Sequence, residues 1–362
     1  MEEEGTRVKK LRILFVAEEF WPKAAGGEVW AWDLTRELAR RGHRVTALTS
    51  AQNGLPADER RDGVRILRRS FPARSRPLRL IRNKALQRYV RTLLSTEKFD
   101  IVHTAAYTMN VPVSRIAKRA GVPCITAAHS YFGDDWKRLS PLWPLLRALE
   151  RRTLRHDASS ILHVPSAYLD ARIRADMGSG KLCSCLKRKL RVIPNWCPDR
   201  YPKPHRFPTP TLLFVGSLEP VKDPLTCIAV AKRLTMPLVV VGTGLLERAL
   251  LREAARAGIA LTVLPHASRD ETLAMIGGAS LVLVPSVTES FSLVALEAVA
   301  QRTPVAGRPV GILPALPGVI AWPPTRVPKR LTAAQANATR KRFSKRSGVD
   351  AIERAYRELV RP

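Results

Sequence analysis

The sequence predicts an α/β chain of two doubly wound domains, and three observations carry that prediction. Short apolar runs rich in Val, Ile and Leu are separated by segments long enough for a crossover helix, the pattern of strands buried on both faces of a parallel sheet. The alternation occurs twice, as LRILFVA, HRVTALTS, DIVHTAA, PCITAAH and SSILHVP in the first half and as LLFVG, PLVVVGTG, ALTVLP and LVLVPS in the second. Between the halves lies NWCPDRYPKPHRFPTPT, residues 195–211, whose five prolines in seventeen residues forbid a continuous helix and suit an extended linker. A length of 362 residues with 45% hydrophobic content is enough for two domains with separate cores.

The elements follow in order. The first strand runs into a Gly26-Gly27 loop and then a helix with Trp30, Leu34 and Leu38 on one face, which Gly42 should stop. Glycines at a strand-to-helix turn let a backbone approach a ligand, and the helix N-terminus favours an anion. No G-x-G-x-x-G is present, so a dinucleotide site is not supported. Residues 74–94 carry Leu78, Ile81, Leu86, Tyr89, Val90 and Leu93 near helical spacing, interleaved with Arg79, Arg82, Lys84, Arg88 and Arg91. This reads as a basic amphipathic helix, suited either to the core or to an anionic membrane surface. In the second half LVLVPS should deliver Thr288 and Glu289 at a strand's C-terminal end, with a helix beginning near Phe291 or Ser292. Glu297 then falls one to two turns inside that helix.

Composition narrows the function classes. Lysine and arginine number 61 against 31 acids, a net charge of +30. The excess is clustered: residues 60–91 hold eleven arginines and one lysine against the single acid Asp62, and residues 326–346 hold eight basic residues and no acid. Such patches attract polyanions, including phosphorylated substrates and anionic lipid. The five cysteines form no regular framework, so free thiols are expected, and Cys183, Cys185 and Cys197 with His205 lack the paired spacing of a zinc site. The charged start MEEEGTRVKK is not a signal-peptide core, and no run of eighteen apolar residues occurs. The reading is a cytoplasmic protein, with a peripheral position on the inner face of the membrane as an extension of it.

GGEVWAWDLTRELARRGHRVTALTS, FDIVHT, RVIPNWCP, LLFVGSLEPVKDP and PSVTESFSLVALEAVAQRTPVAG, in this order and spacing, resemble the successive motifs of the retaining GT-B glycosyltransferases of the family 4, or group 1, class. The resemblance spans roughly residues 11 to 310. It implies two Rossmann-like domains facing across a cleft: residues 1–197 on the acceptor side, 198–340 on the nucleotide-sugar side, and 341–362 as a helix crossing back to the first domain. Glu289 and Glu297 resemble the family's E-x7-E pair, which implies that Glu289 accepts hydrogen bonds from donor-sugar hydroxyls and Glu297 from the ribose. Ionised carboxylates suit this because each offers two acceptor oxygens. Backbone N–H groups near Phe291, Ser292 and Leu293 would meet the diphosphate at a helix N-terminus. Lys222 aligns with the lysine that neutralises the leaving diphosphate, and His129 with a histidine beside the anomeric carbon. Leu264 and Pro265, with His266 nearby, would flank the nucleobase, and Gly26 and Gly27 would form the loop that lines the donor and acceptor space. No metal or other cofactor is implied.

Three departures qualify the resemblance. Ser217 stands where the family usually has arginine, which removes a positive charge and a bidentate donor from the leaving-group site; Arg302, Arg308 or an arginine of the first domain could replace it. The segment GRPVGILPALPGV lacks the usual acid after its proline, and residues 318–337 are shorter than the family's strand, loop and helix. The resemblance implies transfer of a hexose-type sugar from a UDP- or GDP-linked donor to a hydroxyl acceptor such as a lipid-linked or cell-envelope glycan, without a protein nucleophile. The competing readings are a catalytically degenerate GT-B protein that binds a ligand or partner, and a polyanion-binding protein. Nucleic acid is not the expected partner.

Overall fold

The computed structural model describes residues 10–22, 26–70, 79–106, 110–178 and 181–360, with backbone alone at 79–83 and 181–183. Its first sheet contains β1 (Arg12–Val16), β2 (Arg44–Ser50), β3 (Asp58–Arg61), β4 (Val64–Arg69), β5 (Ile101–Thr104), β6 (Cys124–Ala127), β7 (Ile161–Val164) and β8 (Leu190–Val192), in the order β3-β4-β2-β1-β5-β6-β7-β8. The second contains β9 (Leu212–Val215), β10 (Leu238–Val241), β11 (Leu261–Leu264), β12 (Leu281–Val284), β13 (Val305–Gly307) and β14 (Val319–Ala321), in the order β11-β10-β9-β12-β13-β14. Every described pairing is parallel except β3 with β4. In each sheet the order reverses beside the first strand of that half, β1 or β9, and such a switch point opens a crevice at the strands' C-terminal ends. The two doubly wound sheets expected from the sequence are both present.

The helix Gly26–Arg40 buries Trp30, Ala31, Leu34, Thr35 and Leu38 against the first sheet. Gly42, at φ 88°, turns the chain in the left-handed region where a Cβ would be strained, and β2 follows. The helix Arg79–Thr96 buries Leu86 and Val90, with Tyr89, Leu93 and Leu94 packed against the same core. Its described apolar stripe is therefore core, not a free membrane-binding face. Lys84, Arg88 and Arg91 remain exposed, and the expected contributions of Leu78 and Ile81 lie outside the described side chains. β3 and β4 were not expected. Asp62 and Gly63, at φ 47° and 82°, make their tight hairpin turn.

At the edge of the second sheet, residues 318–337 form the three-residue β14, a proline-containing connection and the start of the helix Ala333–Arg342, capped by Thr332 and Gln335 in a reciprocal box. The last helix, Lys345–Val360, leaves the second domain. It buries Val349, Ile352, Ala355 and Tyr356 in one core with Trp30, Leu34 and Trp196. Gly348 is what permits the approach, because a Cβ there would lie 2.3 Å from the Trp196 ring. Arg41 of the first domain adds ion pairs to Asp350 and Glu353, at 2.6 and 2.8 Å.

Candidate active site

A cavity of about 760 Å³ lies between the two sheets, at the C-terminal ends of their strands. Gly26, Gly27, His129 and Ser130 line it from the first domain. Ser217, Lys222, Pro265, His266, Arg269 and the run from Glu289 to Val294, with Glu297, line it from the second. Leu264, the last residue of β11, packs against the second domain's core and is not among the described lining residues. Pro265 and His266, which follow it, do face the cavity.

Lys222 and Glu289 are brought together. Lys222 Nζ donates to Glu289 Oε1 at 2.6 Å, and Ser286 Oγ donates to the same oxygen at 2.8 Å. Residues 220–222 form a short 3₁₀ turn closed by Asp223 at φ 50°, which aims Lys222 toward the end of β12. Glu289 precedes the helix Leu293–Ala300, whose N-cap Ser292 has φ 79° and ψ 85° and accepts from Ala295 N–H. A non-glycine residue in that region stores backbone strain, a feature concentrated at ligand-binding turns. Gly311 supports the turn from behind. Its φ is 59°, a Cβ would lie 2.5 Å from the Phe291 carbonyl oxygen, and Ile312 N–H donates to that oxygen at 2.8 Å.

Glu297 sits inside the helix with no exposed surface. Burial raises its carboxyl pKa, opposed by Arg269, whose two terminal nitrogens each reach one carboxylate oxygen. Arg269 opens the helix Arg269–Gly278 behind the Ser268 cap, whose side chain and Glu271 form a reciprocal box. The arginine was missed in the sequence because its partner is 28 residues away; the S-x-x-E signal at Ser268 and Glu271 marks the helix start that positions it. Such a bidentate pair fixes both partners in the cavity wall.

Neither Arg302 nor Arg308 is among the described residues that line the cavity, and neither is any arginine of the first domain. Arg308 pairs with Asp223 at 2.6 Å and bonds to the Pro285 carbonyl, while Arg302 Nε donates to the Leu331 carbonyl at 2.9 Å. Lys222 and Arg269 are the lysine and arginine among the described lining residues.

On the opposite wall His129 follows β6 with its ring 4.4 Å from Trp30 and 6.0 Å from His163. Burial, with His163 adding repulsion, lowers its pKa to about 3. His163 is lowered to about 4 by burial, its ring nitrogen 2.7 Å from the Ile193 carbonyl. His129 is thus a neutral imidazole at pH 7. Two bonds cross the cleft beside Glu289: Ser166 Oγ donates to the Ser290 carbonyl at 2.5 Å, and Arg172 Nη1 to Thr288 Oγ1 at 3.1 Å. Among the described residues no group of three or more His, Cys, Asp or Glu side chains is arranged to hold a metal ion.

Residues 24–199 match the family model Glycosyltransferase Family 4, and residues 199–316 match Glycosyl transferases group 1. A D-inositol 3-phosphate glycosyltransferase from Mycobacterium avium is 34% identical over 178 residues, 41% of this chain and 42% of that protein. The match thus spans less than half of that relative's length. Among solved structures, a sucrose-phosphate synthase from Thermosynechococcus elongatus superposes with a TM-score of 0.82 at 18% identity, covering 97% of this chain and 99% of the other. Anabaena HepE in complex with UDP-glucose gives 0.65 at 15% identity, over 96% and 98%. At these identities the structural likeness speaks for the fold.

Proposed function

Because the chain belongs to the GT-B glycosyltransferases related to family 4 and group 1 members, we propose that it transfers a hexose-type sugar from a UDP- or GDP-linked donor to a hydroxyl acceptor, with retention at the anomeric carbon. The observation that carries this reading is the Lys222–Glu289 pair in a cavity between two sheets, beside a strained helix N-terminus.

The pair changes partners when the donor binds. The diphosphate takes the Lys222 ammonium as counter-ion, and Glu289, still held by Ser286, turns its acceptor oxygens to the sugar hydroxyls. Lysine stabilises the charge that develops on the leaving diphosphate, a preorganised electrostatic contribution. Backbone N–H groups at Ser292 and Leu293 add the helix N-terminus. Arg269 holds Glu297 against the ribose. The neutral His129 donates one hydrogen bond to the sugar without adding positive charge to the oxocarbenium-like centre. The departing phosphate oxygen takes the acceptor's proton, so no protein nucleophile forms a bond. The UDP-glucose bound in the structure of Anabaena HepE and the UDP-forming activity of a trehalose-phosphate synthase from Burkholderia vietnamiensis support a nucleotide-sugar donor.

The test is a panel of UDP- and GDP-hexoses read by thermal stabilisation and by release of nucleoside diphosphate. A ligand that binds only the folded chain raises its melting temperature. Glu289→Ala should retain the fold and lose nearly all release. Nucleotide binding without turnover, repaired by Ser217→Arg, would establish the degenerate reading instead.

A further inference from the structure

We propose that the helix Trp143–Arg155 is a docking surface for an anionic membrane. Leu142, Leu145 and Leu149 are 61%, 57% and 49% exposed, and their spacing of three and four residues places them on one face. A soluble surface shows isolated leucines routinely, but an aligned exposed stripe marks an interaction site. Arg138, Arg152 and Arg155 flank it, all exposed, while Lys137 pairs with the exposed Asp134 at 3.5 Å. Between residues 136 and 156 the one acid is Glu150, which is buried.

The other side of this helix is fixed. Glu150 accepts from the backbone N–H groups of Phe132 and Gly133 at 2.9 and 2.8 Å, and from Trp136 Nε1 at 3.3 Å. Arg147 and Arg151 both pair with Asp176. The leucines therefore project from a rigid mount, unlike the apolar residues of Arg79–Thr96 that the core absorbs. The mount also leads to the cleft. Phe132 follows cavity-lining Ser130 by two residues, and Arg172 joins the Phe132 carbonyl to Thr288 at 2.6 and 3.1 Å.

Charge complementarity selects the occupant. A second copy would set Arg138, Arg152 and Arg155 against basic residues of the same face, because a twofold contact is self-complementary. An anionic bilayer supplies acyl chains for the leucines and headgroups for the cations in one surface. A membrane seated here brings the acceptor side of the cleft close to lipid, which favours a lipid-linked acceptor. That last step rests on the transferase reading; docking itself does not.

The experiment is co-sedimentation of the full chain with equimolar phosphatidylglycerol–phosphatidylcholine vesicles and with pure phosphatidylcholine, at low and high salt. A chain of net charge +30 will meet anionic vesicles at low salt through charge alone, so the decisive arm is high salt, where screening removes that component. At low salt the natural chain should prefer the anionic vesicles to the neutral ones, and at high salt a reduced binding carried by the leucines should persist. The variant Leu142→Ser, Leu145→Ser, Leu149→Ser should lose at least about tenfold in partitioning, as expected from the removed apolar burial. Leu145→Ser alone should show a smaller loss in the same direction, which covers a triple variant that folds poorly. Equal partitioning of natural and serine chains at high salt, equal binding to neutral and anionic vesicles at low salt, or a leucine-dependent dimer without vesicle binding would overturn the proposal. No readout involves turnover, so failure here is distinct from failure of the enzymatic assignment.

Discussion

At the scale of single residues, Glu289 and Glu297 occupy different environments. Glu289 is held by Lys222 and Ser286 at the cavity wall, whereas Glu297 is buried against Arg269. Their substitutions should therefore fail differently. Glu289→Ala should abolish transfer at unchanged stability, measured as nucleoside diphosphate release beside a urea midpoint. Arg269→Ala should destabilise the fold by roughly 3–5 kcal/mol, the usual consequence of leaving a buried charge without its partner. That cost has a pH signature. A carboxyl raised above its ordinary 4.5 by burial binds its proton more tightly folded than unfolded, so Arg269→Ala should lose stability as pH rises above about 4.5 and regain it on acidification. A pH-independent difference between the variant and the natural chain would contradict this. Ser217→Arg should alter the rate by less than about tenfold, or 1.4 kcal/mol, if Lys222 already carries most of the leaving-group charge; Lys222→Ala should do far more harm. Glu289, Glu297 and Lys222 stand out in the sequence because each belongs to a motif of fixed local spacing, and all three line the same cavity. Arg269 does not, because only the folded chain brings its helix against the one bearing Glu297. The hydrogen-bond assignments of Arg302 and Arg308 were equally invisible, and both turn out to be spent on carbonyls and Asp223.

At the scale of elements, the strands that read clearly were the buried parallel ones, since continuous Val, Ile and Leu runs need no neighbour to be recognised. β3 is DERR, with no apolar residue to mark it, and β13 and β14 are three residues each, too short to show a period. The helix Arg79–Thr96 was legible as amphipathic, yet periodicity could not say whether the stripe met a core or a membrane. Three strands of the first sheet share a further property. His103 on β5, His129 after β6 and His163 on β7 all have pKa values lowered by burial, His129 to about 3 and His163 to about 4. Above pH 6.5, the ordinary value, folded and unfolded imidazoles are both largely neutral and contribute nothing. Below it the unfolded chain takes up protons that the folded chain refuses, so stability should fall as pH drops from 6.5 toward 4, by up to about 1.4 kcal/mol per unit per histidine. Urea midpoints between neutral and mildly acidic pH measure the slope, and His163→Asn should flatten it. An unchanged slope in that variant would contradict the assignment of His163 as one of the groups responsible.

At the scale of the whole molecule, the two sheets are joined by more than the proline-rich linker. The helix Lys345–Val360 returns to the first domain's core, and Ser166 and Arg172 grip the Thr288–Ser290 turn from across the cleft. Gly348 lies at the tightest point of the return. Alanine there would gain helix propensity of up to about 1 kcal/mol, but its Cβ would meet the buried Trp196 ring at 2.3 Å, and overpacking of this kind costs about 1–3 kcal/mol. Gly348→Ala should therefore lower the urea midpoint, and an unchanged or raised midpoint would mean that the helix does not dock as described. Two doubly wound domains were readable from the repeated strand pattern, whereas the bonds that set the domains against each other lie between residues more than a hundred positions apart. In the proposed function the cleft between the domains receives a nucleoside diphosphate through Lys222 and the turn ahead of Leu293. Equilibrium titration of UDP and GDP, with a chelator present, into the natural chain and into Lys222→Ala tests it most directly. At least one nucleotide should bind the natural chain saturably, with a loss of at least about tenfold in Lys222→Ala, equivalent to 1.4 kcal/mol; equal affinity in the two chains, or no binding to either, would mean that Lys222 does not receive the diphosphate.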